Sequence, residues 1–385
     1  MQLTRPPKRA EEKPKAALML AAALALPGVL PARAETAPEY GMIGVRYLHY
    51  LDEQSGLRRI TVNSPSLVFL APIAGEWSLE GGLTTDNVSG ASPRYHTLVA
   101  GASKMNDRRR AGDLRLTRYL PWGTLAVGAA YSVEHDYGSK ALSVQASVST
   151  EDKNTTLHFG LGGANDTINP VNTVVVNEKK RTTDLLLGVT RVVTRKDIVQ
   201  FNLTQSAGHG YYTDPYKTFD TRPRERIHNA VSGKWNHHFS GSGGTSRLSY
   251  RFSSDSFKTR AHTFSEEYVQ PLPEGWTLTP SLRYYSQSAA NFYVDAVYDP
   301  VLGPPFLAGI RPGSRQYISM DQRLSAFGAV TYGIKIARQF GPDWSAEVKL
   351  DRYEQRGSWA MFGNGSKGLD NLTANFVQIG LYRRW

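Results

Sequence analysis

The chain ends in Val377-Gln378-Ile379-Gly380-Leu381-Tyr382-Arg383-Arg384-Trp385, and this stretch decides the fold. Apolar residues occupy every second position, and the last residue is aromatic. Side chains of a β-strand point alternately to its two faces, so the pattern predicts a strand with one apolar and one polar face. A closing strand of this kind is typical of a β-barrel whose outer surface meets lipid.

The other end of the chain indicates export. A basic segment, Met1 to Lys15, precedes an uninterrupted apolar run, Ala16 to Leu26, and Ala32-Arg33-Ala34 follows. This order predicts a secretory signal, residues 1–34, that is cleaved after Ala34 to leave a barrel of residues 35–385. The alternative is an uncleaved anchor, but the run is shorter than the roughly 20 residues that a spanning helix needs.

Composition excludes several classes of protein. The first 34 residues hold six of the 45 basic and two of the 34 acidic residues, which leaves a net charge of +7 for the rest. These charges are dispersed and no basic-aromatic module is present, so nucleic acid is not an expected partner. The absence of cysteine excludes disulfides, thiolate metal sites and a cysteine nucleophile. After the signal no apolar run approaches helix-spanning length, which excludes a helical membrane protein.

Alternation of apolar and polar residues recurs along the chain, for example from Leu125 to Glu134 and from Val330 to Ile336. The pattern predicts an all-β protein, a transmembrane antiparallel up-and-down β-barrel of about sixteen strands. The predicted strands cover residues 42–52, 57–70, 76–88, 108–120, 122–137, 139–151, 154–164, 181–194, 197–210, 224–240, 244–257, 260–272, 275–293, 316–340, 343–357 and 371–385.

The predicted connections alternate in length. Those on one side are short turns such as Arg195–Lys196, Pro273–Glu274 and Gly341–Pro342. The other side includes five long segments: Ser89–Asp107, Asn165–Lys180, Tyr211–Pro223, Val294–Arg315 and Ser358–Asp370. Outer-membrane barrels have short periplasmic turns and longer external loops, and a soluble sandwich has no reason to separate them. We therefore expect both termini on the periplasmic side.

Tryptophan marks the ends of the short turns. Four of the seven tryptophans follow a predicted turn directly, and the last residue would lie at the same level: Trp77, Trp122, Trp276, Trp344 and Trp385. Indole rings prefer a membrane interface because it accommodates both an apolar ring and an N–H group. We expect an interface girdle of these five side chains. The alternative is simple packing at the hairpin ends of a soluble fold.

No catalytic, cofactor or metal motif appears. The G-x-S-x-G, H-E-x-x-H and Walker patterns are absent, and His237 and His238 should point to opposite faces of one strand. The expectation is a protein that is not an enzyme and has no cofactor. Alternation places a set of polar residues of both signs inside, as a wet channel or a stiffening network: Asp113, Arg115, Glu134, Lys234, Arg283, Glu347, Lys349, Asp351 and Gln378.

Basic clusters occur where strands begin after predicted external loops. The two clearest are Arg108-Arg109-Arg110 and Lys179-Lys180-Arg181, and a third includes Arg222, Arg224 and Arg226. Arginine presents several donors in a planar head that suits phosphate groups. These clusters are candidate contacts to lipopolysaccharide phosphates. The alternative is ordinary solvated loop charge.

Two stretches carry a resemblance to a known family. Arg46-Tyr47-Leu48-His49-Tyr50 is followed by Asp86-Asn87-Val88-Ser89-Gly90-Ala91-Ser92-Pro93, whose S-G-A-S-P core is the specific part. The chain resembles the bacterial family of domain of unknown function 3570, over most of its mature length. The resemblance implies a barrel in the outer membrane of a Gram-negative bacterium. It implies no activity, although an envelope redox gene context is sometimes suggested for the family.

The same motif suggests a constriction. Small and turn-forming residues from Ser89 to Pro93 fit a tight bend, and Asp86 can accept local backbone hydrogen bonds. We expect this loop to fold into the lumen and narrow it. The alternative is a capped loop outside the lumen.

The leading functional hypothesis is therefore a porin-like channel or conduit for small solutes. The alternative is a non-channel scaffold that holds a periplasmic or surface partner, with an outer-membrane lipid hydrolase less supported. Expected partners are outer-membrane lipid, lipopolysaccharide and the barrel-assembly machinery. Arg383 stands where assembly signals often have an aromatic residue, which weakens that match.

Overall fold

The computed structural model of the protein describes residues 36–54, 56–91, 104–217, 219–295, 297–303, 306, 308, 313 and 315–385. The predicted signal, residues 1–34, lies outside these ranges. In the described part, no helix has the length and apolar character needed to span a membrane. Its helical pieces are three short 3-10 turns: Pro273–Gly275, Gln322–Leu324 and Gly357–Trp359.

Sixteen strands form a closed antiparallel barrel, as the sequence predicts. With two shorter strands outside it, the strands in chain order are β1 (Met42–Gln54), β2 (Leu57–Ile73), β3 (Trp77–Ala91), β4 (Lys104–Leu120), β5 (Gly123–Val133), β6 (Tyr137–Ser149), β7 (Thr155–Ile168), β8 (Glu178–Val192), β9 (Asp197–Gly210), β10 (Asp220–Thr221), β11 (Glu225–Phe239), β12 (Gly244–Asp255), β13 (Arg260–Pro271), β14 (Trp276–Gln287), β15 (Ile318–Ser319), β16 (Phe327–Phe340), β17 (Trp344–Arg356) and β18 (Leu372–Arg384). The barrel strands have 11 to 17 residues, enough to cross a bilayer at a tilt. Strands β10 and β15 pair with each other in a separate ribbon.

The barrel closes between its first and last strands. β1 pairs with β18 along its whole length, from Met42 opposite Arg384 to Gln54 opposite Leu372. Gly41 and Trp385 exchange backbone hydrogen bonds of 3.0 and 3.2 Å just beyond. Both ends of the barrel sequence therefore lie at the same end of the barrel.

The two ends of the barrel differ in their connections. The end that holds Gly41 and Trp385, here the turn end, has short links such as residues 193–196 and 341–343. The opposite end, here the loop end, carries the long segments 211–224, 288–326 and 357–371, together with short links at 134–136 and 256–259. The predicted separation of short turns from long loops is confirmed for these segments.

The two faces of the wall follow the predicted alternation. Val377, Ile379 and Leu381 point outward and are 37, 51 and 43% exposed, while Gly380 and Tyr382 between them are buried on the inner side. Similar rows of exposed Leu, Val, Ile and Phe side chains occur on the other barrel strands. A surface this apolar all round is stable only against an apolar solvent, as a bilayer provides.

One predicted feature of the wall is wrong. Residues 288–293 and 316–326 were expected to extend two long strands, but β14 ends at Gln287 and β16 begins only at Phe327. The residues between them fold as a separate unit with its own polar centre, in which Asp321 is fully buried and caps a 3-10 turn. Alternation alone does not distinguish such a segment from a strand end.

Candidate functional site in the barrel lumen

The lumen contains a cavity of about 840 Å³ against one sector of the wall. Residues with small side chains face inward along β5 to β8: Gly128, Ala130, Ser132, Ser139, Ala141, Ser143, Gly160, Gly162, Ala164 and Thr182. An added Cβ at Gly128 would lie 2.8 Å from the Ser143 hydroxyl and 4.0 Å from Arg115 Nε, which confirms that this position faces the lumen. Space in the barrel therefore lies on this side.

Long polar side chains fill much of the opposite sector. Arg46 Nε donates to the Tyr382 hydroxyl (2.8 Å), which in turn donates to Glu347 (2.6 Å). Lys349 pairs with Asp351 at 2.9 Å. Positive and negative groups thus neutralise each other across neighbouring strands, and a charge inside a barrel needs such a partner or water. These contacts connect the inner faces of β1, β17 and β18 and fit either a stiffening network or the wall of a wet channel.

The structure also gives the positions of the other residues that were predicted to face inward. Arg115 pairs with Glu80 at 3.3 Å, and Asp113 lies next to this pair on the inner face of β4. The pattern of burial also turns Lys234 and Gln378 inward, and the register with Thr331 places Arg283 on the inner face. Glu134 lies beyond the end of β5 and is buried in a turn at the loop end.

The expected constricting loop is instead part of the wall. Ser89, Gly90 and Ala91 continue β3 and pair with Asn106, Met105 and Lys104 of β4. The expected bend after Val88 is therefore wrong, because backbone pairing continues through the small residues. Ser92 and Pro93 lie outside the described residues.

The Asp86 side chain lies on the inner face of the wall and does not cap a loop. It accepts a 2.6 Å hydrogen bond from Arg109 Nε, and each of the two side chains is only 4% exposed. Arg109 therefore cannot reach a surface phosphate, which corrects its assignment as a lipopolysaccharide contact. Its neighbours Arg108 and Arg110 are exposed on the outer side of β4.

The second basic cluster divides in the same way. Lys180 turns inward and pairs with Asp166 at 2.8 Å, while Lys179 and Arg181 are exposed on the outer side of β8. Consecutive strand residues point to opposite faces, so three adjacent cations cannot form one patch. Four of the six predicted contacts remain on the outer face: Arg108, Arg110, Lys179 and Arg181.

The predicted tryptophans share one level. Trp77, Trp276 and Trp344 each begin a strand at the turn end, and Trp122 and Trp385 lie beside the ends of β5 and β18. Three of these rings face an arginine directly across the strand pair. The guanidinium carbons lie 4.9 Å from the Trp77 ring (Arg118), 4.9 Å from the Trp276 ring (Arg338) and 5.6 Å from the Trp344 ring (Arg383).

Two loop-end segments pack together as a cap. The described residues of the segments 211–224 and 288–326, here called the cap, share an apolar cluster in which Phe257, Ala290, Phe292 and Leu324 are buried and Tyr212 packs alongside. The rings of Phe257 and Phe292 meet edge to face at 5.0 Å. The cluster joins the cap to the link between β12 and β13.

The cap is also fixed by an ion network around Asp321. This carboxylate is fully buried and accepts hydrogen bonds from Arg323 Nε (2.6 Å) and Arg222 Nη2 (2.7 Å), with Lys217 Nζ at 3.0 Å. Arg222 and Arg323 bind Asp220 and Asp214 in turn. Partners come from both cap segments, up to 109 residues apart, so sequence reasoning had no local signal for this network.

The network sets the charge state of Asp321. Burial opposes ionisation, but Arg323, Lys217 and Arg222 outweigh it and hold the pKa of Asp321 well below its usual value. Burial also opposes ionisation of Lys217, and it lowers the pKa of this side chain despite the acidic neighbours. Asp321 is thus the fixed negative centre of the cap at neutral pH.

The cap reaches into the lumen. A Cβ added at the inward-facing Gly208 would lie 1.9 Å from the Tyr212 hydroxyl, so only glycine leaves room for this ring on the wall. Lys180 Nζ lies 5.6 Å from the centre of the same ring. Tyr216 donates to Asp136 at the rim (2.6 Å), beside a buried acidic group of Asp107, Glu134 and Asp136. The cap is therefore attached across the mouth.

One inward row contains the residue types of a hydrolase. Asp184, Ser206 and His228 are register neighbours on β8, β9 and β11. Serine, not histidine, lies between the other two, so the carboxylate is not placed to orient the imidazole. Arg251 Nη2 lies 3.2 Å from His228 Nε2 and donates to it, which occupies the nitrogen a nucleophile would need.

A closed barrel with an apolar outer surface and a polar lumen places the chain among barrel proteins of the membrane-spanning type. The family described as "Protein of unknown function (DUF3570)" matches residues 96–178 and 172–376, and the chain belongs to this family. The motifs that carry the sequence resemblance, up to Pro93, precede the matched region. No curated protein matches the sequence.

Solved structures of outer-membrane proteins are similar in fold. A "Bacterial polysaccharide outer membrane secretin" is 9% identical with a TM-score of 0.49, and the match covers 89% of this chain and 98% of that one. OccK1 (OpdK) from Pseudomonas aeruginosa is 10% identical with a TM-score of 0.45, over 90% of this chain and 98% of that one. CdiB from Acinetobacter baumannii is 8% identical with a TM-score of 0.47, over 88% and 60%.

Proposed function

We propose that the protein is a bacterial outer-membrane channel for small polar solutes, with the loop end at the cell surface. The observation that carries this proposal is the cavity of about 840 Å³, with Lys180, Asp184 and Arg226 in its lining, inside a closed barrel with an apolar outer surface. A barrel of sixteen strands has room for an aqueous interior. Charged side chains such as Lys349 and Asp113 require water or partners there.

The cap narrows the entrance from the loop end. Its apolar cluster and the Asp321 network attach it to the wall at several points. The small-residue sector of β5 to β8 leaves space beside it. The solute path therefore runs along this sector, past Lys180 and Asp184.

The test is the permeability of purified protein in liposomes. Vesicles loaded with a small sugar should release it when they contain the folded barrel and retain dextran. A variant that fills the path, Gly162→Trp, should slow release of the sugar, while Gly163→Trp on the outer side of the same strand should not. Equal retention of sugar by wild-type and protein-free vesicles would contradict the proposal.

A second candidate is a closed scaffold for an envelope assembly, such as one with a redox-active partner. The observation in its favour is the number of contacts that attach the cap across the mouth, including the Tyr216 bond to Asp136. This candidate predicts no solute flux even when the cap is loosened. A lipid hydrolase has weaker support, because the Asp184, Ser206 and His228 order does not fit nucleophile activation.

The proposed partners follow from the placement of surface groups. Arg108, Arg110, Lys179 and Arg181 point outward near the loop end and suit the phosphates of lipopolysaccharide. The apolar face of β18 would be the segment presented to the barrel-assembly machinery.

A further inference from the structure

The inner face of β11, β12, β13 and β14 carries excess positive charge. The strand register turns five basic and two acidic side chains of these strands towards the lumen, on the same face as His228 in the cavity lining: Arg226, Lys234, Arg247, Arg251 and Arg283, against Asp255 and Glu267. The charge of this wall therefore has to be balanced within the wall or by something in the lumen.

Three of the five cations have acidic neighbours. Arg226 Nη2 lies 2.5 Å from Asp255 Oδ2. Arg247 stands directly opposite Glu267 in the register of β12 and β13, and Lys234 interacts electrostatically with the same carboxylate. These positions are balanced by the wall itself.

Arg251 and Arg283 are different. Within the described ranges neither has a carboxylate within 4.0 Å, and the one side-chain bond of this pair is from Arg251 to His228. The stretches 92–103 and 304–314 contain no aspartate or glutamate. Among the residues that the structure describes, no carboxylate pairs with either of these two guanidinium groups, which face the lumen.

The two arginines lie at similar positions along neighbouring parts of the wall. Arg251 and Arg283 are each the eighth residue of their strand, counted from Gly244 and from Trp276 at the turn end. Between them runs β13, where Thr263 is opposite Arg251 and Ser265 is opposite Arg283. Two strand spacings and a stagger of two residues separate the backbones by about 12 Å, so two long side chains can converge over these hydroxyls.

We propose that Arg251 and Arg283, with Thr263 and Ser265, form a lumenal binding site for the oxyanion of a small solute, a phosphate or a carboxylate. A guanidinium head matches either group with two parallel hydrogen bonds, and the hydroxyls add donors. No described carboxylate balances these two charges, so a diffusible anion that binds between them neutralises them. The site's role in passage rests on the proposed channel function, but binding itself does not.

The site adjoins the path proposed for solutes. Arg251 is bonded to His228, and His228 and Arg226 line the cavity. A solute that enters below the cap therefore meets the two guanidinium groups before it reaches the turn end. Such a site concentrates anions in the lumen by electrostatic attraction.

Equilibrium binding tests the site directly. Calorimetry at low salt would measure inorganic phosphate and acetate separately on the detergent-purified wild type and on the double variant R251Q/R283Q. Because charge-assisted hydrogen bonds are strong, the double variant should bind the preferred anion at least about tenfold more weakly. The matched control R247Q removes a cation that faces Glu267 and should change binding by no more than about twofold.

The possible results distinguish the class of anion, the binding site and the channel. Preference for phosphate or for acetate identifies the class of solute, and R251K/R283K should recover part of the affinity because charge is kept. No binding of either anion to the folded wild type, or equal loss in R247Q, overturns the site. Bilayer currents separate anion binding from transport. If the double variant loses binding but neither barrel conducts, the binding site is supported and the channel is rejected. If the barrel conducts, and the double variant has the same reversal potential and anion binding as the wild type, the site is rejected and the channel is supported.

Discussion

The direction of a single side chain decides whether a substitution meets lipid or the lumen. Val127 is 52% exposed on the outer face of β5, and Ala130 on the same strand lines the cavity. Val127→Arg should reduce the fraction of folded barrel sharply, since arginine near the midplane costs about 2–4 kcal/mol. Ala130→Arg adds the same side chain to the lumen and should assemble normally. Heat-modifiable migration in gels measures both, and equal assembly would show that the faces are misassigned.

Two adjacent arginines give a second test at the same scale. Arg109→Ala leaves the buried Asp86 carboxylate without its cation, and loss of one partner of a buried pair costs about 3–5 kcal/mol. Arg108→Ala removes an exposed outward charge and should change stability by less than about 0.5 kcal/mol. Denaturant unfolding in detergent compares the two free energies. Similar losses would mean that the buried pair does not stabilise the wall.

At the scale of elements, the cap depends on the Asp321 network. Asp321→Asn removes the negative centre that Arg222, Arg323 and Lys217 share, so the cap should loosen and become sensitive to protease. Asp299→Asn in the same segment alters an exposed carboxylate outside the network and serves as the control. Because the pKa of Asp321 is lowered, its stabilising effect is complete above the unfolded value of about 3.9 and is lost as pH falls below it. Cap cleavage should therefore be equal at pH 7 and pH 5.

The outward basic residues of β4 and β8 define a second element-scale prediction. Replacing Arg108, Arg110, Lys179 and Arg181 with glutamine should reduce the lipopolysaccharide that co-purifies with the barrel, since each cation contributes to phosphate binding. The control changes Arg195 and Lys196 at the turn end. Phosphate analysis of the purified protein measures the retained lipid. An equal loss in the control would place the contacts elsewhere or reverse the proposed orientation.

Sequence reasoning succeeded where the information is local. Alternation places Val127 outside and Gly128 inside, because the period of a strand is two wherever it lies. It failed at Arg109 and Lys180 because a run of like charges was treated as one patch, although alternation already separates its members. The cap was not foreseeable, since Arg323 and Asp214 meet across 109 residues and only the folded loops bring them together.

At the scale of the whole molecule, the barrel carries apolar surface outside and charged side chains inside. Asp351 and Lys349 pair in one sector, while small residues from Gly128 to Thr182 line the cavity in another. The cap at the loop end and the tryptophans at the turn end give the barrel two different ends. The proposed solute path with one narrowed entrance rests on this asymmetry.

Single-channel recording in planar bilayers tests the central claim most directly. Wild-type barrel should give discrete current steps, and Asp321→Asn should give larger steps because the cap no longer narrows the mouth. Asp299→Asn should match the wild type. The absence of steps in the wild type and in Asp321→Asn, with both barrels correctly folded, would contradict the channel and favour the closed scaffold.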